Sequence, residues 1–303
     1  MNKKPNKIAV LMGGSGEERE VSLKSGKAIN KALNENGYDV LNIVMDNRIS
    51  GIIEKLSSVD MVFLGLHGDI GENGTIQGLL DALGIIYTGS SPLSSAICMD
   101  KNISKIIAQH NNILTPKWDL SNNNNVDSEK FNYPLVVKPN NQGSTVGLRI
   151  VHNNKELKPA LDYALKYDSS VLIEEYIEGR ELTVTVLDGK AYPVCEIIPS
   201  HEFYDYECKY TPGMSEYICP SKLNSEQTKK IQKISKGLFH LLKCENYARA
   251  DFRMDNQNRF WFLEMNTLPG MTDTSLVPMS ALAEGVTFNK LIEMIVMRAW
   301  AKK

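Results

Sequence analysis

The chain has 303 residues, of which 42% are hydrophobic and 23% charged, and its formal net charge at pH 7 is −2. This length predicts two or three domains, and a composition without a basic excess argues against nucleic acid as a partner. No apolar run is long enough for a signal peptide or a membrane span, and five cysteines scattered without a Cys-x-x-Cys pair favour a reducing cytoplasm.

The first ninety residues have the pattern of a parallel βαβ unit. Strands are predicted at residues 8–12, 40–44 and 61–66, with an amphipathic helix at 21–35. Ligands of such sheets bind at the carboxyl ends of the strands, and two glycine-rich turns follow there, at 13–16 and 67–74. Neither turn has the spacing of a dinucleotide or Walker loop, so a purely structural turn stays an alternative for each.

The remaining chain predicts two regions of mixed α+β structure. In the second region, 91–175, we expect helices at 95–110 and 155–167 and strands at 133–138, 145–151 and 171–176. In the third, 176–303, we expect strands at 181–187 and 191–198 and a helix at 225–243. Residues 201–220 lack a period and are numerous enough to form an active-site loop.

A hairpin after the last of these helices combines two carboxylates with an amide. Asp251 lies in its first strand, and Glu264 and Asn266 lie in its second. Such oxygen ligands suit Mg²⁺ or Mn²⁺, and Mg²⁺ commonly completes its shell with substrate phosphates. The expected ligand is therefore a metal-bound nucleotide.

The register of this hairpin follows from a turn placed at residues 255–258. That turn puts Arg249 opposite Glu264 and Asp251 diagonally from Glu264, with Phe262 on the same face. The alternative is a surface hairpin whose acids pair with the arginines of the first strand.

Several single residues are candidates for phosphate or base contacts. Lys138 ends a strand before a loop that contains Ser144, and Lys101 follows an aspartate; for each lysine the alternative is a solvated side chain. Residues 174–177 cross between domains, where backbone groups can pair with an adenine edge, or they are only a linker. Glu18 and His67 are further candidates. For Glu18 the alternative is a carboxylate that only stabilises a helix N-terminus, and for His67 it is a histidine that only satisfies a turn.

These segments, taken in order along almost the whole chain, resemble the ATP-grasp superfamily and, within it, the D-alanine:D-alanine ligase family. The segments that carry the resemblance are Gly13-Gly14 with residues 18–22, residues 66–75, residues 87–90 with Met99-Asp100-Lys101, Val137-Lys138-Pro139 with residues 143–147, residues 203–206 with Lys209-Tyr210, Arg249-Ala250-Asp251, and residues 263–267 with 269–272.

The resemblance implies an α/β fold in which an N-terminal parallel βαβ domain, residues 1–90, precedes an ATP-grasp pair of α+β domains, residues 91–175 and 176–303. It also implies a homodimer. The reaction implied is the ATP-dependent joining of two D-alanines through an acyl phosphate. Its dipeptide product is used for peptidoglycan synthesis, and so for cell-wall biogenesis and cell shape.

The resemblance also implies a role for each matching residue. ATP phosphates are expected at Lys101, Lys138 and Ser144, adenine at Glu174, Glu175, Tyr176 and Ile177, the ribose at Glu181, and two Mg²⁺ or Mn²⁺ ions at Asp251, Glu264 and Asn266. The first D-alanine is expected at Glu18 and His67, the second at Ser275 and Leu276, and Lys209 is assigned to the substrate site. Developing charge is expected to be stabilised by Arg249 and the Gly270 backbone. Hydrogen bonds of Ser144 and Tyr210 with Glu18 are expected to hold the 201–220 loop over the site and exclude water.

Three residues depart from the family pattern, namely Gln142, Thr145 and Leu268, and none has a role in the reaction implied above. Two rival functions remain. The first is another ATP-grasp ligase, in particular one that makes D-alanyl-D-lactate, against which Tyr210 argues. The second is a nucleotide-binding protein without catalysis, against which the complete set of carboxylates, Arg249 and lysines argues.

Overall fold

The computed structural model describes residues 4–46, 49–122, 131–201, 204, 208–209, 211 and 213–301, and every structural statement below concerns these residues. Their strands form three sheets. Strands β1–β4 fall within residues 1–90, β5–β8 within 91–175 and β9–β14 within 176–303. The domain boundaries themselves stay predictions.

The first sheet is parallel, with the strand order β2-β1-β3-β4. Its strands are β1 (Lys7–Gly13), β2 (Asp39–Met45), β3 (Met61–Leu64) and β4 (Ile86–Tyr87). Its helices are α1 (Arg19–Glu35), α2 (Ser50–Leu56), α3 (Asp69–Glu72) and α4 (Thr75–Ala82). Because β1 and β3 are neighbours and run in the same direction, the two glycine-rich turns that follow them lie at the same edge of the sheet.

The second sheet is antiparallel, with the order β5-β8-β6-β7. Its strands are β5 (Trp118–Ser121), β6 (Leu135–Pro139), β7 (Arg149–Val151) and β8 (Val171–Glu175). Helix α7 (Asn154–Ala164) supplies Leu157, Ala160 and Leu161 to the core of this sheet. Because β6 and β8 are antiparallel, Lys138 pairs with Leu172 and Glu174 pairs with Val136, so Lys138 and Glu174 are diagonal neighbours in the sheet.

The third sheet is antiparallel, with the order β12-β11-β9-β13-β14 and with β10 beside β9. Its strands are β9 (Arg180–Leu187), β10 (Lys190–Ala191), β11 (Cys195–Pro199), β12 (Ser215–Ile218), β13 (Tyr247–Met254) and β14 (Phe260–Asn266). Helices α5 (Pro92–Met99), α6 (Lys101–His110) and α8 (Ser225–Leu241) contribute residues to its core. The observed sheets confirm the predicted fold class.

The last two helices return to the first sheet. They are α9 (Leu276–Ala283) and α10 (Phe288–Trp300), and the buried residues Ile292, Ile295 and Val296 of α10 join the same core as Ile8 and Ile29. The two ends of the chain therefore share one core, which holds the turn before α9 against the N-terminal sheet.

Three predicted elements were wrong in their bounds. The helix predicted at 95–110 is two helices, because Asp100 has an extended backbone and caps α6 with its carboxylate. The strand predicted at 145–151 is regular only over Arg149–Val151. The strand predicted at 191–198 is broken between Lys190–Ala191 and Cys195–Pro199, where Pro193 has no N–H to donate.

The predicted register of the β13–β14 hairpin was also wrong. Met254 pairs with Phe260, so five residues rather than four connect the strands. Asp251 pairs with Glu264 and the next residue, Phe252, pairs with Phe262, so a bulge leaves Leu263 of β14 without a cross-strand partner. Asp251 therefore lies directly opposite Glu264. The bulge also reverses the alternation of faces, so Phe262 is buried in the core opposite Phe252 instead of sharing the face of Glu264.

Pairing of β11 with β12 places Cys195 beside Cys219, with Cα atoms 4.4 Å apart and their sulfurs in a disulfide. The scattered positions of the cysteines in the sequence did not indicate this contact, because it depends on sheet register. Within the described part of the chain, no helix is both long and apolar enough to cross a membrane.

Asp255 holds the connection between β13 and β14. Its carboxylate accepts hydrogen bonds from the backbone N–H groups of Gln257 and Arg259, both at 2.9 Å, from Arg259 Nε at 2.6 Å and from Trp261 Nε1 at 2.8 Å. Burial alone would raise the pKa of Asp255, but these bonds outweigh it and lower the pKa from 3.8 to about 2.

We expect Asp255→Asn to lower the free energy of unfolding by about 1–3 kcal/mol, because an amide nitrogen would face donors that now meet an oxygen. Urea unfolding at neutral pH measures this loss, with the exposed Asn256→Ala as control. A carboxyl group whose pKa is lower in the folded state stabilises the fold above its ordinary pKa of 3.8, and this stabilisation is lost as pH falls through about 2. The difference in the free energy of unfolding between wild type and variant should therefore shrink in acid. Equal stability at neutral pH would contradict this role.

Candidate active site

Two adjoining cavities lie where the three sheets meet. Their volumes are about 260 Å³ and 130 Å³. We call the larger one the substrate cavity and the smaller one the nucleotide cavity. Residues that border both are Lys101, Gln142, Tyr204, Lys209, Arg249 and Glu264. The two spaces are therefore continuous around a charged junction.

Every predicted site residue that the structure describes borders one of these cavities. The substrate cavity has Glu18, His67, Ser144, Asn266, Gly270, Ser275 and Leu276. The nucleotide cavity has Lys138, Glu174, Glu175, Tyr176, Ile177, Glu181 and Asp251. Lys101, Lys209, Arg249 and Glu264 belong to both. Tyr210 lies outside the described residues, so its role stays a prediction.

Asp251 is held from two sides at the centre of the third sheet. Arg249 Nε and Nη2 donate to its two carboxylate oxygens at 2.8 and 2.7 Å, and Thr183 on β9 donates at 2.6 Å. The pairing of an acid with Arg249, considered above as the alternative to a metal site, is thus present for Asp251. The carboxylate of Glu264 instead faces Lys101, with Nζ and Oε2 3.2 Å apart.

Glu264 is a strongly acidic carboxyl group. Burial would raise its pKa, but Lys101, Lys209 and Lys138 outweigh this and lower the pKa to about 2. The opposed carboxyl groups of Asp251 and Glu264, with the amide of Asn266, are a donor set that fits a hard divalent ion. Among the described residues, no group of three or more His, Cys, Asp or Glu side chains is placed to hold a metal ion, so an ion bound here would take further oxygens from a ligand.

The loop after β6 contains two consecutive non-glycine residues with positive φ. Ser144 and Thr145 both have positive φ, 49° and 64°, a conformation that is costly for residues with a side chain and that concentrates at functional sites. Successive N–H groups in such turns form anion-binding concavities. Lys101 Nζ donates to the carbonyl of Gln142 at 2.6 Å, which fixes this lysine against the same loop.

Lys138 forms a short ion pair with Glu174 on the neighbouring strand β8. Glu174 is only 2% exposed, and its other oxygen lies 2.8 Å from the ammonium of Lys105. Burial would raise the pKa of Glu174, but the two lysines outweigh it and the pKa is lowered. The side chain of Glu174 thus engages the lysines beneath the nucleotide cavity.

Arg253 organises the segment expected to meet adenine, a role that the sequence analysis missed. Its guanidinium donates to the carbonyl of Ile177 at 3.0 Å and to Glu181 at 3.3 Å, and lies over the ring of Tyr176 at 5.5 Å. Arg253 belongs to the same strand face as Arg249 and Asp251, so its position in the hairpin was the available signal.

The carboxylate of Glu18 is enclosed by two glycines. A Cβ on Gly68 or on Gly143 would approach Glu18 Oε2 to 2.6 or 2.8 Å, closer than real side chains pack. Ser144 Oγ donates a short hydrogen bond to the other oxygen of Glu18. This contact confirms the predicted link between Ser144 and Glu18, and it joins the first sheet to the loop after β6.

His67 is buried beside Glu18 and is fixed by both ring nitrogens. Nε2 is 2.9 Å from Ser25 Oγ, and Nδ1 is 2.9 Å from the carbonyl of Leu268. Glu72, which the sequence analysis did not select, lies 3.9 Å from Nδ1 and also borders the substrate cavity. Burial would lower the pKa of His67, but Glu72 and Glu18 reverse this and raise it.

Gly270, Thr272 and Ser275 form a turn before α9 on the opposite wall of the substrate cavity. Ser275 Oγ accepts from the N–H of Thr272 at 3.0 Å and lies 2.8 Å from Thr272 Oγ1. Helix α9 begins directly after Ser275, so its N-terminal end faces this cavity, a favourable place for a carboxylate. Thr272 is a further polar group that the sequence analysis missed.

The described part of the 201–220 segment contacts the loop after β6. Thr145 Oγ1 donates to the carbonyl of Tyr204 at 2.9 Å, and the Tyr204 hydroxyl is 2.8 Å from that of Tyr217. Lys209 Nζ lies 5.1 Å above the Tyr204 ring. Burial and Arg249 lower the pKa of Lys209, against the opposing effect of Glu264, Glu181 and Asp251. Lys209 borders both cavities and therefore stands at their junction.

Comparisons with known proteins agree with this arrangement. Residues 49–90 match the family model described as "D-ala D-ala ligase N-terminus", and residues 105–297 match "D-ala D-ala ligase C-terminus". The D-alanine--D-alanine ligase of Aquifex aeolicus is 46% identical over 294 residues, which cover 96% of this chain and 99% of that protein.

Two solved structures are also similar over nearly their full lengths. The D-alanine--D-alanine ligase of Bacillus anthracis in complex with ATP is 39% identical with a TM-score of 0.88, covering 99% of this chain and 98% of that one. The VanG D-Ala:D-Ser ligase of Enterococcus faecalis is 28% identical with a TM-score of 0.83, covering 98% of this chain and 100% of that one. By its matched family models and its full-length identity to curated members, this chain belongs to the D-alanine--D-alanine ligase family.

Proposed function

We infer that this chain joins two D-alanine molecules in a reaction that consumes ATP. The observation that carries this inference is the junction of the two cavities, where Lys101, Lys209, Arg249 and Glu264 border both spaces. An amino acid in one cavity and a nucleotide in the other meet at this junction. The ammonium of the amino acid fits the enclosed carboxylate of Glu18, and the phosphates fit the lysines.

In the first step, the carboxylate of one D-alanine attacks the γ-phosphorus of ATP and forms an acyl phosphate, with ADP as the leaving group. Two anions approach each other in this step, so the cations of Lys101, Lys138 and Lys209 and the loop N–H groups lower the barrier by offsetting their repulsion. Glu18, held by Ser144, fixes the ammonium of the first D-alanine. Orientation of both reactants then makes the attack effectively intramolecular.

Asp251, Glu264 and Asn266 would hold Mg²⁺ or Mn²⁺, two ions according to the family resemblance, and these ions would neutralise phosphate charge. Support for this assignment comes from the opposed register of the two carboxylates and the low pKa of Glu264, which keeps it ionised at neutral pH. Glu264 forms an ion pair with Lys101 and Asp251 forms one with Arg249, so a bound metal ion would compete with these two cations for the carboxylates.

In the second step, the amine of the second D-alanine attacks the acyl phosphate carbonyl, phosphate leaves and the peptide bond forms. The Gly270 N–H and Arg249 would stabilise the oxyanion, and Ser275 at the start of α9 would receive the carboxylate of the second substrate; all three residues border the substrate cavity, which supports these roles. Closure of the 201–220 segment over the site would exclude water from the acyl phosphate. The contact of Thr145 with Tyr204 supports this closure.

The use of the dipeptide in peptidoglycan synthesis follows from the family. The homodimer, the cytoplasmic location and the role of Tyr210 stay predictions.

The reaction is tested by incubating the protein with ATP and Mg²⁺ and measuring phosphate release and peptide product. We expect both with D-alanine and neither with L-alanine, because Glu18 and His67 would hold the first substrate, and the turn before α9 the second, in orientations that suit one configuration. Parallel assays combine D-alanine with D-serine or D-lactate. These assays test whether the chain is instead a ligase that joins D-alanine to a different second substrate. Phosphate release without any dipeptide, or a mixed product in excess of D-alanyl-D-alanine, would contradict the proposed reaction.

We expect Glu264→Gln to lower kcat at least about a hundredfold, because an amide keeps the shape but not the charge that balances divalent ions and Lys101. Steady-state phosphate release measures kcat, and the circular dichroism spectrum and thermal midpoint report whether the fold is intact. Glu284→Gln is the matched control, since Glu284 forms an exposed ion pair with Lys190 far from the cavities. A variant at Glu264 with wild-type kcat would show that this carboxylate does not act in the reaction.

A further inference from the structure

Lys105 is a buried lysine to which the reaction above gives no role. It lies on α6, one helical turn after Lys101, and is 0% exposed. Lys101 and Lys138 border the cavities, whereas Lys105 is absent from the lining of both. A charged ammonium is costly to bury without partners, so its surroundings require an explanation.

The ammonium of Lys105 has a fixed set of partners. It donates to Thr115 Oγ1 at 2.6 Å and to the carbonyl of Pro116 at 3.4 Å, and it lies 2.8 Å from Glu174 Oε2. Thr115 in turn donates to the carbonyl of Phe262 on β14 at 2.9 Å. Lys105 is therefore anchored to the β13–β14 hairpin through Thr115 and to the second sheet through Glu174.

Glu174 is shared between Lys105 and Lys138. The carboxylate is 2% exposed, and each of its oxygens faces one of the two ammonium groups. The three groups together carry one net positive charge. Without Lys105, the negative charge of Glu174 would cancel that of Lys138, and the nucleotide cavity would lose a cation from its wall.

We propose that Lys105 is a positioning residue for ATP: it balances the buried carboxylate of Glu174 and thereby leaves the charge of Lys138 available to the nucleotide's phosphates. This inference rests on the proposed function, because it assumes that Lys138 meets ATP. Lys105 acts only through Glu174, since its own side chain reaches neither cavity.

The electrostatic surroundings of Lys105 agree with this role. Charged groups face it from three strands, namely Glu174 on β8, Lys138 on β6 and Glu264 on β14, and Lys101 precedes it on its own helix. Burial, assisted by Lys138, lowers the pKa of Lys105 to about 8, while Glu174 and Glu264 oppose this shift. Lys105 is therefore mostly charged at neutral pH.

The first test compares Lys105→Met with wild type by calorimetric titration with Mg²⁺-ATP and by steady-state kinetics. We expect the Kd for ATP to rise about tenfold or more, as for loss of a charge-assisted contact, with the KM for D-alanine unchanged. Lys158→Met, an exposed lysine on α7, is the matched control. Equal rises in both constants, or an unchanged Kd, would overturn the proposal.

The second test asks whether Lys105 acts through Glu174. The effect of Lys105→Met on the Kd for ATP is measured again in a Glu174→Gln background, where no buried carboxylate needs balancing. We expect the effect to fall to within about threefold, since Lys138 no longer has a competing anion. A Lys105→Met effect of the same size in both backgrounds would overturn the proposal. If wild type itself fails to bind ATP, the proposed function is wrong instead.

Should Lys105→Met fail to fold, wild type and Lys209→Met decide the question. The Kd for Mg²⁺-ATP is measured between about pH 7 and 9.5, across the pKa of about 8, and we expect weaker binding above it as Lys105 loses its proton. The pKa of Lys209 is also lowered by burial, so the titration is repeated with Lys209→Met. A flat profile in wild type, or an inflection that disappears with Lys209, would overturn the proposal.

Discussion

The pairing of β13 with its two neighbours determines the geometry of the whole site. One unpaired residue, Leu263, shifts β14 so that Glu264 stands directly across from Asp251. Without this bulge the strict alternation of β14 would place Glu264 and Phe262 on the same face, and either a carboxylate would enter the core or a phenylalanine would enter the cavity. On its other side β13 pairs Asp251 with Thr183 of β9, which donates to the same carboxylate.

Around this strand pair, charges of both signs are buried together and keep each other ionised. Lys101, Lys138 and Lys209 lower the pKa of Glu264, and that carboxylate in turn favours the charged form of Lys209 against burial. A cavity arranged in this way is suited to an anionic nucleotide with a divalent ion. The charges of such a ligand can replace the internal ion pairs of these side chains.

The substrate cavity depends on contacts between distant parts of the chain. Helix α10 packs into the core of the first sheet, and this holds the turn from Gly270 to Ser275 across from Glu18. His67 bonds the carbonyl of Leu268, and Ser25 bonds the N–H of Met271, which ties the two walls directly. The wall that we propose for the second substrate therefore leads into the last helices but is supported by the first sheet.

The sequence by itself determined the βαβ start, the α+β character of the later regions and the carboxylates and lysines that were candidates for a nucleotide site. It did so because strand alternation, glycine turns and the types of side chain are local properties. The other residues proposed for the site were recognisable from the order of the motifs along the chain, together with the resemblance to one family. Glu18, Lys138 and Glu264 were placed at one site on that basis, and they border the cavities observed here.

Only the tertiary structure decided which groups face each other. The bulge at Leu263, the break at Asp100 and the contact of Cys195 with Cys219 depend on register and packing, which single-chain patterns do not encode. Lys105 and Glu72 were missed because nothing in their immediate sequence distinguishes them from solvated or core residues, and Arg253 was missed although it shares a strand face with Asp251. Their significance arises from partners far away in sequence, such as Glu174, whose distance from Lys105 is set by the docking of α6 against the second and third sheets.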